Sequence, residues 1–325
     1  MTGVDRRTAL GGLAGAALMP EALAARPLVP PYPADAVVRV PAPGGALFAR
    51  VNGRLDSGRP PLIMAHGGPG GCHAAFLPAL PLAADRAVIL YDQLDCGHSD
   101  KPGDPANWVP ARFAAEVEAV RVAFGLRRYH LLGASWGGSV ALLHGASQPK
   151  GLASLILQGP LVSTADWIAD AAVLRAALPA DVQAALDEGD RSGRFDTPGY
   201  TRAADAFYAR YFRRRPPPDW ATAYEKTIPQ PFNVRLYETM WGPNEFLCSG
   251  TLRDFDGRPL LGRLEVPTLF LAGEFDEARP ETVTRFATQT PRAEVAIVPG
   301  AAHRIQSDET AAYLAAVGSW LRRFD

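Results

Sequence analysis

A serine between two glycines, placed between an apolar run and an amphipathic run, constrains this chain more than any other feature. Tyr129–Leu132 predicts a buried strand, and residues 139–144 carry the apolar face of a helix. Between them, residues 133–137 form the motif G-x-S-x-G. A serine on a tight turn from strand to helix leaves no room for a Cβ two residues to either side. We therefore predict that Ser135 is a nucleophile at a helix N-terminus, where backbone N–H groups favour negative charge, rather than part of a plain glycine-rich turn.

Composition and charge exclude several classes of protein. The chain has 325 residues, which suits one large domain or two ordinary ones, and its hydrophobic and charged fractions are those of a soluble globular protein. A formal net charge of −1 gives no reason to expect nucleic acid or a membrane as a partner. The three cysteines are widely spaced and form no C-x-x-C pair, which argues against a disulfide framework or a zinc site.

The N-terminus reads as a targeting segment rather than as part of the fold. Arg6 and Arg7 precede a mild apolar run over residues 9–23, and residues 22–24 offer a small-x-small cleavage site. This pattern resembles a twin-arginine export signal over residues 1–25, and it predicts a periplasmic or secreted protein. The run is too short and too rich in glycine and alanine for a transmembrane helix. The alternative is a disordered tail or a misassigned start, which would leave the protein in the cytoplasm.

Strand and helix patterns alternate along the chain and predict an α/β fold with a mostly parallel sheet covered on both faces. Apolar runs predict strands over residues 36–40, 46–51, 61–65, 87–91, 129–132, 153–157, 268–272 and 294–298. Residues 160–263 show only helical patterns, over 167–177, 182–188, 201–214, 219–226 and 232–240. We predict a core over residues 26–159 and 264–325, with a helical cap over residues 160–263 inserted after the sixth strand.

A serine nucleophile needs a base and an orienting carboxylate. The strand–serine turn–helix context resembles the nucleophile elbow of the α/β hydrolases, in which the acid and then the histidine follow the serine. His303 is the only histidine beyond residue 144 and lies in a loop after the last strand. The acid is expected in the loop after the preceding strand. There Asp276, four residues past the strand, is chosen over Glu274 and Glu277.

The oxyanion of the reaction needs two fixed N–H donors. One is predicted to be the backbone N–H of Trp136, the residue after the nucleophile. The other is expected in the glycine-rich loop of residues 66–71, which follows the strand predicted over residues 61–65, and Gly68 is the best candidate. His66 in the same loop is interpreted as a structural residue rather than as a base or metal ligand.

Beyond the elbow, the chain resembles the prolyl iminopeptidase branch of the α/β hydrolases, which includes the tricorn-interacting aminopeptidases. The matching motifs lie at residues 66–70, 92–99, 133–138, 242–246, 250–254 and 273–277. The resemblance implies that glutamates of the cap and beside the catalytic aspartate bind the free α-amino group of the substrate, and these are Glu245 and Glu277. The alternatives are a cap–core salt bridge for Glu245 and a solvated loop residue for Glu277.

The resemblance implies a serine aminopeptidase that releases an N-terminal residue, often proline, from small peptides or amino-acid amides through an acyl-enzyme. It implies no metal and no organic cofactor. Two alternatives remain: an esterase- or lactonase-type hydrolase, which would not need the acidic pair, and a catalytically inactive binding module. The preferred N-terminal residue and the oligomeric state are not predicted.

Overall fold

An eight-stranded, mostly parallel sheet forms the centre of the computed structural model, which describes residues 32–325. The predicted export signal over residues 1–25 lies outside the described residues. The strands are β1 (Ala36–Ala42), β2 (Gly45–Asn52), β3 (Leu62–Ala65), β4 (Val88–Tyr91), β5 (Tyr129–Ala134), β6 (Leu152–Gln158), β7 (Thr268–Gly273) and β8 (Ala293–Val298). Their order is β1-β2-β4-β3-β5-β6-β7-β8. Strand β2 pairs antiparallel with β1 and β4, and all the other pairs are parallel.

The strand order reverses between β3 and β5. The chain passes from β3 to β4 on one side and then crosses to β5 on the other. Loops that leave the carboxyl ends of two such strands diverge, and the crevice between them is where α/β sheets bind ligands. The glycine-rich loop follows β3 and Ser135 follows β5, so the sheet topology places both beside this crevice.

Helices cover both faces of the sheet and also form the cap. The core helices are α1 (Pro110–Ala123), α2 (Trp136–Ala146), α9 (Pro280–Thr288), α10 (Ile305–Asp308) and α11 (Thr310–Arg323), with 3₁₀ helices at His73–Ala84 and Pro105–Asn107. Between β6 and β7 lie α3 (Thr164–Ala176), α4 (Ala180–Ser192), α5 (Pro198–Tyr211), α6 (Asp219–Glu225), α7 (Val234–Met240) and α8 (Arg258–Leu261). The predicted α/β fold, with its helical cap after the sixth strand, is therefore confirmed.

Each face of the sheet has its own apolar layer. Ile63 and Leu131 belong to the layer that contains α1 and α2, whereas Met64 and Leu132 belong to the layer that contains the 3₁₀ helix His73–Ala84 and α11. Because β3 and β5 are buried on both faces, their sequences are continuous apolar runs. Full burial of each aliphatic side chain contributes about 1.5–3 kcal/mol to folding stability. This packing holds in place the strand ends that carry the site.

Polar contacts join the cap to the core. Tyr224 of α6 bonds through its hydroxyl to His73 Nε2 at 2.9 Å and accepts a hydrogen bond from Arg50 Nη1 at 3.0 Å. Ahead of α7, Asn233 Nδ2 donates to the carbonyl of Asp95 at 2.8 Å. These contacts hold the cap over the carboxyl ends of the parallel strands. None of the helices within residues 32–325 combines the length and apolarity that crossing a bilayer requires.

Candidate active site

Ser135 stands on a strained turn between β5 and α2. Its backbone has φ 57° and ψ −123°, a conformation that residues other than glycine rarely adopt. A Cβ at Gly133 would lie 2.0 Å from the carbonyl oxygen of Gly137, and one at Gly137 would lie 2.1 Å from that of Ala65. The backbone N–H of Ser135 donates to the carbonyl of Gln158 at 2.9 Å. Any larger residue than glycine at position 133 or 137 would clash with a backbone carbonyl. The Ser135–Gln158 hydrogen bond joins the turn to the end of β6.

His303 is held by Asp276. Its Nδ1 donates to Asp276 Oδ1 at 2.6 Å, and both side chains are buried. The same carboxylate accepts backbone N–H bonds from Ala278 at 2.9 Å and from Gly273 at 3.2 Å. A carboxylate only accepts hydrogen bonds, so the Nδ1 atom carries the proton and Nε2 is left with a free lone pair. This is the tautomer that a general base needs.

The imidazole of His303 lies beside the serine turn. A Cβ on Gly159 would come within 2.8 Å of His303 Cε1, and Gly159 directly follows the residue whose carbonyl binds the Ser135 N–H. Trp167 meets the ring edge-on at 5.6 Å, and Phe212 stacks on it at 5.8 Å. The structure therefore gathers the predicted nucleophile, base and acid at the carboxyl ends of β5, β8 and β7. Glu274, the rejected candidate acid, is exposed and accepts from the backbone of Gly300 instead.

The glycine-rich loop packs against the predicted nucleophile. A Cβ at Gly67 would lie 3.0 Å from Ser135 Cβ. Gly68 has φ 122°, and a Cβ there would lie 2.5 Å from the amide nitrogen of Gly70. Trp136 is the first residue of α2, so its backbone N–H has no partner within the helix. Both predicted oxyanion donors thus belong to segments that border Ser135.

His66 is a structural residue of that loop. It is fully buried, and burial lowers the pKa of its ring. The backbone N–H of Gln93 donates to His66 Nε2 at 3.0 Å, which leaves the proton on Nδ1, 2.9 Å from the carbonyl oxygen of Gly67. A neutral imidazole with both nitrogens engaged in this way has no free atom for catalysis.

Glu277, which is buried, and Glu245, which is half-buried, form an acidic pair beside His303. Glu277 is 3% exposed, and its Oε1 lies 3.8 Å from His303 Nε2. Its other carboxylate oxygen is buried with no hydrogen-bond partner among residues 32–325. Glu245 Oε1 accepts from the hydroxyl of Tyr237 at 2.7 Å. Burial raises the pKa of both carboxyls, and the charges of Glu245 and then Asp276 raise that of Glu277 further.

Neither glutamate is paired with a cationic side chain of the described chain. In the described part of the chain, neither forms a salt bridge with lysine or arginine. A cap–core salt bridge for Glu245 and a solvated position for Glu277 therefore do not describe the structure. A buried carboxylate without a cationic partner is costly unless it is protonated or a ligand supplies the opposite charge. The pair is suited to bind a cation next to the base.

Two aromatic residues of the site, Trp167 and Tyr211, were not identified from the sequence. Trp167 bridges His303 and Trp241, whose ring lies 6.1 Å away. The carbonyl of Tyr211 accepts backbone hydrogen bonds from both Glu277 and His303 and so ties the two loops to the cap. Aromatic residues at helical spacing are ordinary core residues in most proteins, so the sequence offered no signal that distinguished these. Within residues 32–325 the three cysteines are free and no cluster of potential metal ligands is found.

Comparison with known proteins agrees with the fold. Residues 60–310 match the alpha/beta hydrolase fold family. The proline iminopeptidase of Heyndrickxia coagulans is 35% identical over 267 residues, which cover 82% of this chain and 92% of that protein. The solved proline iminopeptidase of Mycobacterium smegmatis is 36% identical with a TM-score of 0.80, covering 89% of this chain and 98% of that one. The solved structure of VinJ is 34% identical with a TM-score of 0.82, and the match covers 90% of this chain and 100% of that one.

The fold and the serine turn define a serine hydrolase of the α/β-hydrolase class. Within that class, the chain belongs to the proline iminopeptidase family. The resemblance found in the sequence motifs is confirmed.

Proposed function

We propose that this protein is a serine aminopeptidase that releases an N-terminal residue, often proline, from small peptides or amino-acid amides. The observation that carries the proposal is the acidic pair of Glu277 and Glu245 beside His303. The α-amino nitrogen of an amino acid lies about 2.5 Å from its own carbonyl carbon. A carboxylate 3.8 Å from the base therefore binds the amino group of the same residue whose carbonyl is attacked. That geometry selects the first residue of a peptide.

The chemistry follows from the hydrogen bonds of the site. His303 Nε2 accepts the proton of the Ser135 hydroxyl as Oγ attacks the carbonyl carbon of the substrate. The backbone N–H groups of Gly68 and Trp136 donate to the resulting oxyanion. Asp276 keeps the imidazolium oriented and stabilises its charge. The imidazolium then protonates the leaving amine, and an acyl-enzyme remains. Water, deprotonated by the same Nε2, hydrolyses it and restores the serine.

The acidic pair also supports a preference for proline. The ring nitrogen of an N-terminal proline carries only two N–H bonds when it is protonated, whereas a primary ammonium carries three. Glu245 and Glu277 can accept one bond each, which would satisfy the proline nitrogen completely. A primary ammonium would leave a third N–H group to desolvate, at a cost in affinity.

A substrate panel tests this function. The substrates are proline p-nitroanilide, other aminoacyl p-nitroanilides, their N-acetyl counterparts and p-nitrophenyl acetate. We expect kcat/KM to be highest for free-amine substrates and to fall by about 10-fold or more on N-blocking, since blocking removes a charge-assisted hydrogen bond. Equal turnover of blocked and free substrates, with esters preferred, would contradict the proposal and favour the esterase or lactonase alternative.

The proposal extends to location and organisation. The arginine pair at residues 6 and 7 and the apolar run after it support export through a twin-arginine route, with a mature protein that begins near residue 26. The mature chain comprises a core over residues 26–159 and 264–325 and a cap over residues 160–263. Its partner is a small peptide or amide, and the near-neutral net charge of −1 favours neither nucleic acid nor a membrane surface.

A further inference from the structure

Gln93, in the loop after β4, connects the two segments that flank Ser135. Its side chain is fully buried. The amide Nε2 donates to the backbone carbonyl of His66 at 2.7 Å, and Oε1 accepts from Trp136 Nε1 at 2.9 Å. Its backbone N–H donates to the His66 ring at 3.0 Å. One side-chain amide thus bridges the glycine-rich loop and the first residue of α2.

Both segments carry a predicted oxyanion donor. The His66 carbonyl lies one peptide unit before the unit that contains the Gly68 N–H. The indole of Trp136 fixes the residue whose own backbone N–H is the second donor. An oxyanion hole is effective only when its donors are held in place before the reaction, because later reorganisation costs free energy. A loop with glycine at residues 67, 68, 70 and 71 has few side chains that could hold it.

We infer that Gln93 is a positioning residue that sets the separation of the two oxyanion donors. It does not contact the substrate; it acts through His66 and Trp136. The inference rests on the proposed hydrolytic mechanism but not on the choice of an amine substrate. A purely structural role would instead make Gln93 one more buried amide whose loss lowers stability alone.

The substitution Gln93→Met tests the role, because methionine has a similar length and no strong hydrogen-bonding group. We expect kcat for proline p-nitroanilide to fall about 10- to 100-fold while KM changes less than about threefold, since the lost interaction acts in the transition state. The inhibition constant of a boronic-acid analogue of proline, which forms a tetrahedral adduct with serine, should rise by the same factor. The dissociation constant of free proline, which forms no such adduct, should not change.

The chain offers a matched pair of tryptophans as a control. Trp136→Phe removes the indole donor to Gln93, and Trp320→Phe removes an indole donor to the buried Ser154 hydroxyl at 3.1 Å. Both variants lose one buried hydrogen bond. We expect Trp136→Phe to lower kcat, and to add little to Gln93→Met in the double variant, because both break the same bridge. Trp320→Phe should lose stability only.

A third variant tests rescue. In Gln93→Glu a protonated carboxyl could donate to the His66 carbonyl and accept from Trp136, whereas the ionised form could only accept. We expect its kcat relative to wild type to be highest at low pH and to fall as pH rises. For Gln93→Met we expect the ratio of its kcat to that of wild type to be independent of pH.

Turnover of p-nitrophenyl acetate separates failure of this inference from failure of the proposed function. If Gln93 positions the oxyanion donors, Gln93→Met should lower kcat for p-nitrophenyl acetate even in a protein that has no aminopeptidase activity. The inference is overturned if Gln93→Met lowers the melting temperature but leaves ester kcat and the boronate inhibition constant within about threefold of wild type. Equal losses of kcat in Trp136→Phe and Trp320→Phe would overturn it as well.

Discussion

Glu277 Oε1 lies 3.8 Å from His303 Nε2, while the preceding residue, Asp276, binds Nδ1 of the same ring at 2.6 Å. Consecutive carboxylates thus face opposite sides of one imidazole. Asp276 accepts two backbone N–H bonds and orients the ring. Glu277 faces the Nε2 side of the ring, and its other carboxylate oxygen has no hydrogen-bond partner among residues 32–325. Asp276 and Glu277 are thus adjacent in sequence but contact different nitrogens of one imidazole and have different roles.

Ser135→Ala should lower kcat/KM by about four orders of magnitude or more, because the nucleophile and its base act as one unit. The alanine removes only the hydroxyl, so the circular dichroism spectrum should be unchanged. The measurement is turnover of proline p-nitroanilide by a preparation free of wild-type enzyme. Turnover near the wild-type rate would contradict the mechanism.

Asp276→Asn should lower kcat by about 10³- to 10⁴-fold, since an asparagine no longer enforces the proton on His303 Nδ1. Glu274→Gln is the matched control, because Glu274 is an exposed carboxylate in the same loop. It should leave kcat unchanged. If Glu274→Gln were the more damaging variant, the acid would have been assigned to the wrong residue.

Glu277→Gln should raise the melting temperature at neutral pH. Burial and the charges of Glu245 and Asp276 raise the pKa of Glu277 well above its ordinary value. Between the unfolded and folded pKa values the folded protein keeps a proton that the unfolded chain has released, so the free energy of unfolding falls as pH rises through this window. Glutamine has no proton to release, so the variant avoids that loss. Each kcal/mol of unfolding free energy regained raises the melting temperature by about 2–4 °C.

The test is the difference in melting temperature between variant and wild type as a function of pH. The difference should be largest at neutral pH and should shrink as the pH falls below about 4, the ordinary pKa of glutamate, where both states become protonated. If the variant is less stable than wild type by the same margin at every pH, the raised pKa of Glu277 does not lower the stability of the wild-type protein.

Much of the fold could be predicted because its signals are local. The apolar runs of the parallel strands and the serine turn each lie within a few consecutive residues. The 3₁₀ helix His73–Ala84 was not predicted, because its apolar residues show no helical period and prolines interrupt it. The short helices α8 and α10 have only four residues each, too few to show a periodic pattern.

The site could be predicted where motif order determines it and not where it depends on distant contacts. Ser135, Asp276 and His303 follow from order and loop placement. The bridge from Gln93 to Trp136 spans 43 residues, and the hydrogen bond that joins α6 to His73 spans 151. Such contacts leave no pattern along the chain. The burial of Glu277, on which its pKa depends, likewise arises only when the cap packs on the core.

Export is tested by replacing Arg6 and Arg7 together with lysine. We expect the full-length precursor to remain in the cytoplasm, because the twin-arginine route requires the arginine pair. The measurement is the distribution of the protein between cytoplasmic and periplasmic fractions, with wild type as the reference. Complete export of the double variant would contradict a twin-arginine signal.

The role of the acidic pair is tested most directly by Glu245→Gln. Glutamine keeps the shape of the side chain and its hydrogen bond from Tyr237 but removes the negative charge. The measurement is the loss of kcat/KM on proline p-nitroanilide divided by the loss on p-nitrophenyl acetate, at one pH. Glu238→Gln, which removes an exposed charge from the same helix as Tyr237, is the control and should give a ratio near one.

If Glu245 binds the α-ammonium, the loss on the amine substrate is about 10- to 150-fold, the equivalent of roughly 1.5–3 kcal/mol for a charge-assisted hydrogen bond, and the ester is barely affected. Glu277→Gln should show the same selectivity for the amine substrate. A ratio near one for both glutamates would contradict the aminopeptidase assignment and would leave a serine hydrolase with a different substrate.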